Sequence, residues 1–143
     1  AQLKRLLESQ KMTEQEAECI RIRDIRRFVE SGLGQRMKKA AMKKHLYREQ
    51  PFVIQRSASM LDDGWKNETV LVQGIIDAYF MEEEEIVLVD YKTDRVKRGQ
   101  EQKLIDLYHV QLEDYARALE RMTGKKVKEK IIYSFTLQKE ILL

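Results

Sequence analysis

The chain has 143 residues, of which 43% are hydrophobic and 36% charged, with a formal net charge of +3; this fits one globular domain with its own core and excludes a disordered polyampholyte. No apolar run approaches the ~20 residues of a membrane helix and no signal peptide opens the chain, while the single cysteine, Cys19, excludes an internal disulfide, a cysteine zinc site and a cysteine-ligated iron–sulfur cluster, so a reducing, cytoplasmic setting is expected. The opening "AQLKRLLESQ" lacks a methionine and reads as already helical, so the chain is expected to be a fragment of a longer polypeptide.

In chain order, "TEQE" at 13–16 is a capping-box pattern, with Thr13 as N-cap and Glu16 at the third helical position. Ala17, Ile20, Ile25, Phe28 and Val29 then recur at helical spacing until Gly32 stops the helix. A second, basic helix is predicted over 35–44, with Met37, Ala40, Ala41 and His45 on one face and Lys38, Lys39 and Lys43 turned to solvent or phosphate. Ten basic residues stand against two acidic ones between Arg21 and Arg48, whereas Asp77 to Asp90 holds six acids and no base. A basic flank beside an acidic pocket suits a protein that holds a polyanion and a metal cation; a pair of ordinary solvated faces is the alternative. His45, with no histidine or cysteine partner in sequence, is read as a packing or surface residue.

From Leu46 the period changes to that of strands, and Pro51 argues for a sheet edge or a bulge. "DDGW" at 62–65 is turn chemistry. The segments 74–80 and 86–92 read as antiparallel strands joined around Glu83 and Glu84, a register that sets Asp77 opposite Asp90. Lys92 then lies on the face of Asp90, and Ile76, Ala78, Phe80, Val87, Val89 and Tyr91 form the opposite, apolar face. Directly opposed like charges destabilise a sheet, so a cation is expected between the aspartates, and a hard divalent ion such as Mg²⁺ suits two converging carboxylates. A salt-bridge cluster of Asp77, Asp90 and Lys92 on a hydrated sheet face is the alternative.

A helix is predicted over 102–122, closed by Gly124, with Leu104, Leu107, Tyr108, Leu112, Tyr115, Ala116 and Leu119 inward. Gln111 and Tyr115, at i and i+4, project together at the edge of that stripe, where an amide and a phenol could hydrogen-bond a phosphate or the carboxylates. His109 is read as a helix-surface residue. "KIIYSFTL" is a buried strand, and "EILL" pairs back after a turn at Gln138 and Lys139. The fold class is mixed α/β.

Asp77, then Asp90-Tyr91-Lys92, then Gln111-x-x-x-Tyr115, on strand, strand and helix, resembles the PD-(D/E)XK nuclease superfamily; "GIID", "VDYKTD" and "VQLEDYARAL" resemble its RecB-type branch, and "REQPF" and "YSFTLQKEILL" are similar to the nuclease domains of AddA-type helicase–nucleases. The resemblance implies a restriction-endonuclease-like core, a central mixed sheet flanked by helices. It implies a Mg²⁺-dependent deoxyribonuclease (Mn²⁺ as substitute) acting on unwound single strands at DNA ends, in partnership with an AddB-type subunit, with ATP used only in a helicase part. By the same resemblance Asp77 and Asp90 are metal ligands, the Tyr91 carbonyl a further ligand and Glu49 an upstream acid brought to the metal. Lys92 is then the catalytic lysine, and Gln111 and Tyr115 support the site and the DNA. From its charge, the basic helix at 35–44, with Lys38, Lys39 and Lys43, is read as contacting phosphates; packing against a helicase motor or the AddB-type subunit is its alternative. One departure stands out: the G-T-x-x-H motif of RecB-type nucleases is missing, and His45 and His109 lie in the wrong contexts. The chain is therefore expected to begin after that motif, to bind metal weakly and to cut poorly in isolation. A nuclease-like DNA-binding or docking module is the alternative.

Overall fold

The computed structural model describes residues 22–57 and 69–143. Within them lie α1 (Ile22–Glu30), α2 (Gly32–Met42), β1 (Leu46–Ser57), β2 (Thr69–Glu82), β3 (Glu85–Lys92), α3 (Glu101–Thr123), β4 (Val127–Ser134) and β5 (Lys139–Leu142). The strands lie side by side in chain order in one mixed sheet, antiparallel except for β3 and β4. A parallel pair needs a long crossover, and α3 supplies it. Thr13, Glu16, Ala17, Cys19, Ile20 and the "DDGW" turn lie outside the described residues.

Each face of the sheet carries a core. On one, Leu104, Leu112 and Leu119 of α3 pack against Phe52, Ile76, Tyr79, Ile86, Leu88 and Ile132. On the other, Leu33, Met37 and Ala40 of α2 pack against Ala78, Phe80, Val87, Val89 and Tyr133, with Phe28 of α1 set edge-on to Tyr91 and Tyr133. Arg36 fastens α2 to the strands, donating to Glu82 at 2.7 and 2.9 Å and to Glu129, while Lys128 reaches Glu82 at 3.2 Å.

Several sequence expectations shift. α2 begins at Gly32, not at 35, because Ser31 is its N-cap and accepts from the Gly34 N–H at 3.1 Å. Its buried face is Leu33, Met37 and Ala40; Ala41 and His45 are exposed. Leu107, expected inward, is 67% exposed on the outer side of α3. Ile76 packs beneath α3 rather than beside Ala78 and Phe80. The reason is a slip in alternation: Arg48 pairs with Ala78 and Gln50 with Ile76, but the level of Glu49 and Asp77 between them is unpaired, and Glu49 has φ of 52°. Side chains below that level therefore face opposite to those above it. Pro51 sits, as expected, on an edge strand.

Candidate active site

The site is built on the β2–β3 hairpin. Glu83 and Glu84, both with positive φ (50° and 71°), form the two-residue turn, whose twist matches that of the strands. The ladder then runs from Glu82–Glu85 to Ala78–Val89, which is the register expected from the sequence. One step further Asp77 and Asp90 lie opposite each other. Beyond the last ladder pair, the Tyr91 N–H donates to Asp77 Oδ2 at 2.9 Å, so a side chain replaces the main-chain partner. The Tyr91 ring points the other way, into the core under α1 and α2.

Both carboxylates are buried, Asp77 8% exposed and Asp90 3%. Burial pushes the Asp77 carboxyl well above the usual carboxylate range, and the charge of Asp90 beside it pushes further, against a smaller downward pull from the Tyr91 N–H and Lys92. Lys92 Nζ lies 2.9 Å from Asp90 Oδ2. Apart from this ion pair, Oδ2 has no hydrogen-bond partner among the described residues. One ammonium also balances only one of two opposed negative charges. The residues thus fit a small divalent cation: two converging hard oxygen ligands that, with both carboxylates ionised, make a net negative site. Among the described residues no three His, Cys, Asp or Glu side chains converge on one point, so the side-chain set is this pair.

Helix α3 closes the site from above. Gln111 Oε1 accepts from Lys92 Nζ at 3.1 Å. Tyr115, four residues on, is held edge-on to Phe52 at 5.0 Å, and burial with the nearby charges of Asp90 and Asp77 raises its phenol pKa. Phe52 reaches that position because Gly74, opposite it in the ladder, has no side chain: a Cβ there would meet the ring at 3.0 Å. Tyr108 lies with its ring 4.0 Å from Lys92 Nζ and donates its hydroxyl to Asp94 at 2.7 Å. The helical pattern alone assigns Tyr108 only to the apolar stripe and passes over Asp94. The available signal is spacing, since Tyr108 is three residues before Gln111 and Asp94 two after Lys92.

Glu49 falls opposite Asp77 on β1 in its strained left-handed conformation, but its side chain is exposed. Lys38, Lys39 and Lys43 are not brought to the carboxylates. Their helix covers the other face of the sheet, and Lys39 and Lys43 line a cavity of about 820 Å³ with Tyr47, Glu82 and Lys125 at the hairpin-turn end. That end is about 16 Å from Asp77 at ~3.3 Å per strand residue. His109 is exposed on α3, its ring nitrogen facing the Ile105 carbonyl, and takes no part in the site.

Comparison with known proteins bears on this geometry. The chain is 39% identical over 145 residues to the ATP-dependent helicase/nuclease A-subunit of Clostridium novyi (strain NT), covering 98% of the chain and 12% of the relative. It is 44% identical over 140 residues to the protein of that name from Acetivibrio thermocellus, and 43% identical over 138 residues to that of Thermoanaerobacter sp. (strain X514), covering 94% of the chain and 11% of the relative in each case. The chain thus spans only about a ninth of these relatives' length. The family model of the PD-(D/E)XK nuclease superfamily matches residues 1–141. With that model matching nearly the whole chain and a mixed sheet flanked by helices, the chain belongs to the PD-(D/E)XK nuclease superfamily.

Proposed function

We propose that this chain is the catalytic domain of a Mg²⁺-dependent exodeoxyribonuclease that degrades single strands unwound at DNA ends, within a longer helicase–nuclease paired with an AddB-type subunit. The observation that carries the reading is the buried Asp77–Asp90 pair with the Lys92 ammonium 2.9 Å from Asp90 Oδ2. A divalent ion would be held by Asp77 and Asp90, with the Tyr91 carbonyl as a further ligand and Glu49 joining only if its exposed side chain turns inward; it would supply Lewis-acid activation of water and neutralise phosphate charge. The chain's own groups do the rest. The Tyr91 N–H fixes the Asp77 carboxylate. The Lys92 ammonium holds the attacking water in line and offsets the charge that builds on the scissile phosphate. Gln111, with Oε1 engaged by Lys92, has its NH₂ left to donate to a phosphate oxygen, and the Tyr115 phenol borders the strand's path. Lys38, Lys39 and Lys43, on the far face, contact the strand away from the cut.

Cleavage of end-labelled single-stranded DNA in Mg²⁺ or Mn²⁺ tests this, comparing wild type with Lys92→Ala and Asp90→Ala. Loss of cutting by about two orders of magnitude or more in both variants is expected; wild-type rates in either would remove that residue from the chemistry. A second reading, DNA binding without cleavage, draws on the two-residue carboxylate set among the described residues. It requires metal-independent DNA affinity and no products at any metal concentration.

A further inference from the structure

We propose that Tyr108 is a positioning residue for Lys92, anchored by Asp94, and that its ring, with the Gln111 amide, fixes where the ammonium stands beside Asp90. The inference rests on the reading of Lys92 as the cation used at the scissile phosphate. A lysine ammonium on four rotatable bonds has no preferred direction of its own, so a site that depends on its placement must supply the constraint. Lys92 Nζ is met from three sides: Asp90 Oδ2 at 2.9 Å, Gln111 Oε1 at 3.1 Å and the Tyr108 ring face at 4.0 Å. The carboxylate alone would leave the ammonium free to swing about it; the amide and the ring, both carried by α3, fix its place beside that carboxylate.

The ring is itself fixed at both ends. α3 holds its backbone, and the hydroxyl donates to Asp94 Oδ2 at 2.7 Å. Asp94 is tied down in turn, its main-chain carbonyl accepting from Thr136 Oγ1 at 2.8 Å. The chain of contacts therefore runs from the segment after β4 through Asp94 and Tyr108 to the ammonium. A cation over an aromatic face in a half-desolvated setting is a substantial attraction. A leucine here would fill the space but hold nothing.

The test is single-turnover cleavage by the full-length protein that carries this chain, with Tyr108→Leu, Tyr108→Phe and Asp94→Asn, each alone and in a Lys92→Ala background, and Tm measured for all. Tyr108→Leu should lower the cleavage rate constant by roughly ten- to a hundredfold with KM for DNA within about twofold. Tyr108→Phe, which keeps the ring, and Asp94→Asn should each lose about threefold or less. With Lys92 already removed, Tyr108→Leu should have no further effect on the residual rate. Wild-type cleavage by Tyr108→Leu, or an equal loss in Tyr108→Phe, overturns the proposal while leaving Lys92 in place. So does an undiminished Tyr108→Leu effect on top of Lys92→Ala. Wild-type cleavage by Lys92→Ala itself instead overturns the reading beneath it. If the residual rate of Lys92→Ala is too slow to measure, the contrast between leucine and phenylalanine decides alone.

Discussion

Asp77 is where stability and chemistry oppose each other most directly. Burial first, and then the Asp90 charge, make its native state hold a proton more tightly than the unfolded chain does. Such a group stabilises fully below its unfolded pKa, and that contribution is lost as pH rises through the native one. The metal-free protein should therefore lose stability between the ordinary aspartate value of 3.8 and about pH 8. Asp77→Asn should flatten that slope, gain about 1–2 kcal/mol at pH 8, and abolish divalent-dependent cleavage. Urea unfolding in EDTA across this range measures it, and parallel pH profiles for the two proteins would show that Asp77 holds no native-state proton. Residue identity makes much of this legible: aspartates at two strand positions and a lysine two residues on announce themselves in sequence. What sequence does not show is direction. The slip at Glu49 and Asp77 turns Ile76 toward α3, and an unpaired ladder level has no compositional mark when a glutamate, rather than a glycine, occupies the left-handed position.

Among elements, the β2–β3 register is readable because a two-residue turn leaves one pairing that buries both apolar sets. The placement of α2 is less so, since Ser31 and Gly32 read equally as the end of one helix and the start of the next, and Gly34 gives no sign of its role. A Cβ at Gly34 would meet the Phe28 carbonyl oxygen at 2.2 Å, so the glycine is what lets α1 and α2 meet at so sharp a corner. α2 is then clamped through Arg36, whose hydrogen bonds chiefly lower Glu82 to about 2. Because Glu82 is held below its unfolded value of 4.5, the stabilisation is present above that value and lost as pH falls toward 2. Arg36→Met should cost about 1–2 kcal/mol at pH 7, discounted for partial exposure, and almost nothing near pH 2. Denaturant midpoints at the two pH values check this; an equal loss at both would assign the effect to the guanidinium's place over the Phe80 ring, 5.5 Å from its centroid, instead.

At the scale of the molecule, the sheet separates two charged regions that the linear sequence places side by side. The basic run in α2 reads as a flank of the acidic hairpin, yet it lies across the sheet from the carboxylates, because face assignment depends on which side each helix docks and composition does not encode that. Replacing Lys38, Lys39 and Lys43 together by alanine should leave cleavage of a short oligonucleotide unchanged. Affinity for a long single strand should weaken, and the slope of log affinity against log salt should fall by up to about two. Equal effects on short and long substrates would put these lysines at the cut. The parallel crossover from β3 through α3 to β4 has a consequence in time as well as in space. The hairpin can zip from its turn, but β4 reaches β3 only after the whole of α3 has been spanned, a closure whose entropy is met before its contacts form. The two aspartates thus come face to face early, while Lys92 still lacks its helix partners, and their repulsion bears on the folding barrier itself. Refolding followed by stopped-flow fluorescence should accelerate for Asp77→Asn with little change in unfolding rate; a change confined to unfolding would mean that the pair closes only after the barrier is crossed.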